Sequence, residues 1–180
     1  MVTHVIVMGV SGAGKTTLGR ALAASLSWPF QEGDDLHPRA NIEKMRAAVP
    51  LVDADRAPWL AAIRAWIETN RAGSRSGVVS CSALKREYRK LLGGGDSDVH
   101  FVHLAADRAL LAKRLAQRAG HYMPVSLLDS QLATLDPPSV EEALIIDAGL
   151  PIAEQVSRVL ARYSLSRCIC DDRIPGCVVG

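Results

Sequence analysis

Two stretches of this chain carry residues whose types and spacing could do chemistry. The first is GVSGAGKT, Gly9 to Thr16, which fits the pattern G-x-x-x-x-G-K-[ST] of a phosphate-binding loop. Small residues at Gly9, Gly12, Ala13 and Gly14 let successive backbone N–H groups, those of Val10 and Ser11 included, curl around phosphate oxygens. A helix that begins at the loop, with Thr17 in its first turn, aims its positive dipole end at the same anion. Lys15 can then reach the outer phosphates, and the Thr16 hydroxyl suits the shell of a Mg2+ ion. The plain alternative is a glycine-rich turn between strand and helix. The second stretch is GDDLHPRANIEKM, residues 33 to 45, with adjacent carboxylates Asp34 and Asp35 followed by His37 and Pro38. A solvated turn leading into a helix would explain it. A cleft that holds a metal-bound phosphate and a polyhydroxy substrate would explain it too. A third stretch, AKRLAQRAGHYMPVSLLDSQ, places Arg114 and Arg118 on one helix face, four residues apart, before a break at Gly120. Such arginines could close over a transferring phosphate, or could form an ordinary solvated basic face with Lys113.

These groups need elements to position them, and strand-like and helix-like text alternates along the chain. The β-branched run HVIVMGV reads as a buried strand, followed by helical text from Lys15 to about Ser27. WPFQEG, GVVSCS, VHFVHLAA and ALIIDAG read as four further strands. PRANIEKMRAA is a short helix with Pro38 near its first turn. DRAPWLAAIRAWIETN is a longer helix, capped by Asp55, with an apolar stripe of Trp59, Leu60, Ile63, Trp66 and Ile67. KREYRKLL ends at the glycines 93 to 95, Asp107 starts the helix RALLAKRLAQRAG, and PIAEQVSRVLARY closes the pattern. Strands alternating with helices predict an α/β fold: a three-layer arrangement with a parallel sheet of about five strands and helices on both faces. The expected organisation is one unit over residues 1–163, a short mobile lid at about 120–136, and a C-terminal tail at 164–180.

Composition bounds the partners. The chain has 180 residues, 48% hydrophobic and 22% charged, with a formal net charge of +2. That charge is too small to imply nucleic acid or a membrane as a partner. The apolar run near the start is too short for a span and is followed directly by glycines and a lysine, so neither signal peptide nor membrane helix is expected. The four cysteines, Cys81, Cys168, Cys170 and Cys177, form no CxxC pair. They imply a reduced, cytoplasmic setting rather than a disulfide framework. Cys81 reads as a buried apolar residue, and the three tail sulfurs as a free tail rather than a zinc site, since no fourth ligand is evident.

The phosphate loop serves many functions. A guanine-reading N-K-x-D is absent from the sequence, which excludes a GTPase switch. A remodelling ATPase usually has more chain and an apolar strand ending in Asp-Glu, whereas here Ala148 follows Asp147. A small-molecule kinase needs only the loop, an acceptor site and a basic lid, and 180 residues suffice.

GVSGAGKTT, GDDLHPRANIEKM, PLVDADRAPWL, VSCSALKREYRKLL and GHYMPVSLLDSQLATLDPP together resemble the gluconokinases of the small P-loop type, relatives of shikimate and nucleoside-monophosphate kinases. The resemblance covers about residues 3 to 160. The chain departs from the family pattern at Val49, where a glycine is common, at Leu132, which replaces an aromatic, and at Asp136, which replaces a Glu. The tail matches nothing in the family. The resemblance implies phosphorylation of D-gluconate at its terminal hydroxyl by ATP with Mg2+, and a homodimer. It makes Asp34 the residue that accepts or orients the attacking hydroxyl, and Asp35 either a holder of Mg2+ through water or a helix cap. His37 either touches substrate hydroxyls or is a turn residue. Arg56 and Lys44 either grip the substrate carboxylate or are surface helix charges. Ser82 and Lys85 border the same pocket, Lys15 and Arg118 act on the transferring phosphate, and Arg114 joins the ATP site. The alternatives are a kinase for another small acid or sugar, shikimate among them, and a non-catalytic ATP-binding regulator.

Overall fold

The structure is a computed structural model that describes residues 1–47, 49–117 and 125–166. Five strands form one parallel sheet: β1 (His4–Met8), β2 (Phe30–Glu32), β3 (Gly77–Cys81), β4 (Val99–Ala105) and β5 (Ala143–Asp147), in the order β2-β3-β1-β4-β5. Registers such as Val5 opposite Val78 and His4 opposite Val99 bring the strand ends out together, so β1, β3 and β4 finish on one edge. Ligands bind along that carboxyl edge in open α/β sheets.

The helices are α1 (Lys15–Leu26), α2 (Arg39–Arg46), α3 (Asp53–Ala72), α4 (Arg86–Leu91), α5 (Arg108–Ala116), α6 (Val125–Thr134) and α7 (Ile152–Arg162), with a 3-10 turn at Gly33–Leu36. Alternation along each strand divides the core in two. Val5, Val7, Val102, Leu104 and Ile146 meet Leu18 and Leu22 of α1, Leu111 and Leu115 of α5 and Val159 of α7. On the other face Ile6, Met8, Val79, Cys81 and Phe101 meet Trp59, Leu60, Ile63 and Ile67 of α3 and Tyr88 of α4. Each such fully buried large side chain stabilises the fold by about 1.5–3 kcal/mol. The stripe expected from α3 is therefore the face that packs, with Trp66 only partly buried.

Two helix boundaries differ from the sequence reading: the start of α3, and the end of α5, which closes at Ala116 rather than running on toward Gly120. α3 begins at Asp53 with Val52 as its N-cap, and Asp55 lies one turn in, where its carboxylate accepts the Val52 N–H at 3.1 Å. An acid at the third helical position satisfies an orphan amide as well as a cap does, so local text could not separate the two. Residues 125–134, within the segment expected as a lid, form the helix α6. Asp107 does cap α5, accepting from the Leu110 N–H at 2.7 Å. Arg118, Gly120, His121, Pro124 and the tail cysteines Cys168, Cys170 and Cys177 lie outside the described residues.

His4, His37, His100 and His103 all sit in surroundings that strip water from the ring, and burial is the main cause that holds each below the usual 6.5. Asp98, 3.5 Å from His4 Nδ1, only partly offsets it. A depressed imidazole binds its proton less readily folded than unfolded. As the pH falls through 6.5 the unfolded chain takes up protons that the folded chain refuses, so stability present at neutral pH is lost. Thermal melts should show the Tm falling between pH 7.5 and 5.5, by about 2–4 °C for each kcal/mol of penalty. A Tm that is flat over that window would contradict the burial of these rings.

Candidate active site

The turn after β1 is built so that backbone, not side chains, faces the ligand. Gly14 caps α1 at φ 101, a left-handed conformation that favours glycine and leaves the first helical N–H groups aimed outward. Lys15 folds back, its Nζ donating to the Val10 carbonyl at 3.2 Å. Thr16 Oγ1 donates to Glu32 Oε2 at 2.6 Å, and Ser80 Oγ donates to the other oxygen of the same carboxylate. Glu32, at the end of β2, was not singled out by the sequence. A lone acid before a glycine carries no motif, and its partners lie 16 and 48 residues away.

Beyond Glu32 the chain passes through Gly33 so close to β3 that an added Cβ would stand 2.0 Å from the Ser80 carbonyl oxygen. The Gly33 N–H donates to Ser80 Oγ at 3.2 Å, and its carbonyl accepts from Trp59 Nε1 at 2.7 Å. This contact delivers Asp34 to the sheet edge. His37 stacks on Trp59, ring centroids 4.3 Å apart, and its Nδ1 lies 3.3 Å from Asn41 Nδ2. Burial, helped by the nearby Arg56 and opposed by Asp34, keeps its imidazole neutral at pH 7.

These groups wall a cavity of about 290 Å3 that opens beside the loop. Lys15, Ser11, Asp34, His37 and Ser82 give it polar groups, and Ile42, Met45 and Trp59 an apolar wall. Arg56 joins the wall, its Nε and Nη2 each 3.4 Å from the Leu51 carbonyl and its guanidinium 5.8 Å above the Tyr88 ring. Among the described residues no carboxylate lies within ion-pairing distance of Arg56. Arg46 also reaches this wall, a cation that the sequence reading did not name.

Three of the expected site residues, Lys44, Lys85 and Asp35, do not line this cavity. Lys44 pairs with Asp55 at 2.6 Å, and Lys85 pairs with both oxygens of Asp53 at 2.7 and 2.8 Å. Neither belongs to the cavity wall. Asp35 is exposed and is not part of the wall either, and the hydroxyl of Thr16 is taken by Glu32. Asp147 accepts the Gly149 N–H at 2.7 Å and serves the turn after β5. Cys81 is buried, and burial pushes its thiol up to about 12.

On the opposite flank of the loop a second cavity, about 430 Å3, is lined by Gly12, Ala13, Gly14, Thr17, Arg114, Ala148 and Ile152. Arg114 braces it, donating to the Ala13 carbonyl at 3.0 Å and to the Ala148 carbonyl at 2.7 Å. The loop thus lies between two cavities, an arrangement able to hold a phosphate donor on one side and an acceptor on the other.

Residues 5–138 match the AAA domain family. The gluconokinase of Gluconobacter oxydans (strain 621H) is 50% identical over 158 residues, 88% of this chain and 89% of that protein. A gluconokinase structure from Sinorhizobium meliloti 1021 superposes with a TM-score of 0.80 at 46% identity, covering 90% of this chain and 91% of that one. A sugar kinase structure from Janibacter sp. HTCC2649, unliganded, superposes at 0.85 with 38% identity, covering 92% and 96%.

Gly33→Ala tests whether the close approach of β2 and β3 sets the site. The methyl group meets backbone rather than a flexible side chain, so the substitution should destabilise by about 3 kcal/mol in urea denaturation. A loss below about 1 kcal/mol would mean that the strand end can move away from Ser80.

Proposed function

This chain belongs to the gluconokinase family, and on that premise we propose that it transfers the γ-phosphoryl group of ATP to the terminal hydroxyl of D-gluconate, giving 6-phospho-D-gluconate. The observation that carries the reading is the shared cavity. Lys15 of the phosphate loop, the Asp34 carboxylate and the Arg56 guanidinium line one space, which is what joining a phosphate donor to an acidic polyol requires.

In this reading the loop N–H groups from Gly9 to Thr16 cradle the phosphates, and the cavity braced by Arg114 receives the nucleoside. Asp34 orients the attacking hydroxyl and accepts its proton as the bond to phosphorus forms. Lys15 leaves the Val10 carbonyl for the outer phosphate oxygens, where its charge stabilises the transition state more than the ground state. Neutral His37 and Ser82 offer hydrogen bonds to substrate hydroxyls. The planar fork of Arg56 suits the substrate carboxylate, and the lack of a carboxylate partner among the described residues leaves it free for one.

The residues present fit a Mg2+ ion. Thr16 and Glu32 put two hard oxygen ligands at the head of α1. No cluster of three or more His, Cys, Asp or Glu side chains that could hold a metal occurs among the described residues. Mg2+ needs no such cage, because it binds through one or two protein oxygens with phosphate and water completing the shell. Bound there, it would neutralise charge on the transferring phosphate. Thr16 and Glu32 are therefore favoured over Thr16 and Asp35. Arg118 keeps its proposed role over the phosphate from the segment outside the described residues. A cytoplasmic setting and a homodimer belong to the same proposal; no helix among the described residues is long and apolar enough to cross a membrane.

The test is ADP release from ATP and Mg2+ with gluconate, glucose, shikimate and nucleoside monophosphates in turn. Gluconate should stand far above the rest. Release with shikimate alone would point to another acid, and release with none would favour a regulator.

Arg56→Leu should lower kcat/KM for gluconate by roughly ten- to a hundredfold, the loss of a charge-assisted contact of about 1.5–3 kcal/mol. KM for ATP should hardly change, and Arg56→Lys should restore only part of the loss because a point charge lacks the fork. Steady-state kinetics at saturating ATP check this. Wild-type kcat/KM in the Leu variant would remove Arg56 from the carboxylate, and Arg46, the other arginine on the wall, would be the next to replace.

A further inference from the structure

His37 lines the cavity that holds Asp34 and Arg56, and its imidazole is held from two directions. One face lies on the Trp59 ring at an interplanar angle of 12°, and Trp59 belongs to the core. Stacking fixes the plane of the imidazole. It does not choose which edge carries Nδ1, because a half-turn about the Cβ–Cγ bond leaves the ring flat on the indole. It does not choose which nitrogen carries the proton either.

Asn41 makes both choices. It follows His37 by four residues, in α2, and is buried at 3% exposure. Its Nδ2 donates to the Asp55 carbonyl at 2.7 Å and lies 3.3 Å from His37 Nδ1. A backbone carbonyl can only accept, so the atom against it is the amide nitrogen and not the amide oxygen. The same NH2 group has a second hydrogen to give, and Nδ1 is its acceptor. A neutral imidazole has one donor and one acceptor nitrogen, so with Nδ1 accepting the proton is on Nε2. A proton on Nδ1 would set N–H against N–H at a buried amide and leave a hydrogen bond unmade. Asn41 is itself anchored through Asp55, whose carboxylate accepts the Val52 N–H and pairs with Lys44. The Nε2 of His37 has no hydrogen-bond partner among the described residues, and it is not sealed away from solvent as the ring nitrogens of His4 are.

We propose that Asn41 is a positioning residue of the acceptor site: it holds His37 as the Nε2–H tautomer, so that the cavity wall offers a hydrogen-bond donor near the Asp34 carboxylate. The combination suits an acidic polyol. Asp34 only accepts, so a hydroxyl that meets it gives up its proton and keeps lone pairs alone. Such a hydroxyl, or its neighbour on the same carbon chain, needs a donor from the next group on the wall. The other tautomer would put a second acceptor near Asp34, and the substrate would meet lone pairs from both.

The inference rests on the reading of this cavity as the gluconate site, and the experiment keeps the two apart. The first measurement needs no substrate. Long-range 1H–15N NMR of the 15N-labelled full chain at about pH 8, where the rings are neutral, shows which nitrogen of each imidazole is protonated. His37 is the ring whose signals vanish in His37→Gln. It should carry its proton on Nε2 in the wild type, and a proton on Nδ1 would overturn the proposal. Asn41→Asp turns the donor into an acceptor and should move the proton to Nδ1; a proton that stays on Nε2 would overturn it as well. The second measurement is a double-mutant cycle in steady-state kinetics, each variant checked for a folded melt. Asn41→Leu should lower kcat/KM for gluconate about three- to tenfold and leave KM for ATP unchanged. The amide that replaces the ring in His37→Gln has a donor that no tautomer can remove. On that background Asn41→Leu should change kcat/KM by less than about twofold. An equal loss on both backgrounds would make Asn41 only a link between α2 and α3 and would overturn the proposal. A wild type that phosphorylates no gluconate would sink the proposed function, and the ring spectra would still decide the tautomer.

Discussion

Glu32 accepts hydrogen bonds from two hydroxyls that belong to different elements, Thr16 at the start of α1 and Ser80 in β3. The carboxylate itself ends β2. Three segments of the carboxyl edge are therefore registered on one group, and the loop, the acidic turn and the acceptor strand keep their spacing through it. Hydrogen bonds to an ionised acceptor are roughly twice as strong as neutral ones, so a single side chain can hold this junction. The site depends on that spacing. A transfer reaction gains most of its advantage from holding the two reacting groups at the right separation, and small displacements are costly.

The acceptor wall follows from the same junction. Gly33 can press against Ser80 because it has no Cβ, and its carbonyl then lies where Trp59 Nε1 reaches it. Trp59 is almost fully buried at 1% exposure, so the platform on which His37 stacks is part of the core. Core packing and ligand recognition meet in that indole. The polar groups of the wall are in turn assigned by pairing elsewhere. Asp53 takes Lys85 and the Tyr88 hydroxyl, Asp55 takes Lys44, and Arg56 lines the cavity.

Much of this was legible in the sequence. The loop is a local backbone motif, and its residues specify its shape without help from distant segments. The alternation of strands and helices gave the parallel sheet, and the stripe Trp59, Leu60, Ile63 and Ile67 gave the buried face of α3. The resemblance singled out Asp34 and Arg56, and both line the cavity. What the sequence did not disclose are contacts between residues far apart in the chain. Glu32 meets Thr16 and Ser80, Lys44 meets Asp55, and Lys85 meets Asp53; each pair is made by the fold, and no spacing announces it. The start of α3 was misread for the opposite reason. Asp53 and Asp55 are both plausible in a first turn, and only the backbone shows which amide each one serves.

Cys81 lies one residue before Ser82 and so touches the acceptor cavity's own strand, yet its thiol is pushed up to about 12 by burial. At neutral pH the thiol therefore stays protonated. Oxidants and alkylating agents act on thiolates that solvent can reach, and this sulfur offers neither the charge nor the access. The strand that delivers Ser82 is consequently insulated from the redox state of its surroundings. A buried, protonated sulfur at this position gives peroxide and glutathione disulfide little to attack.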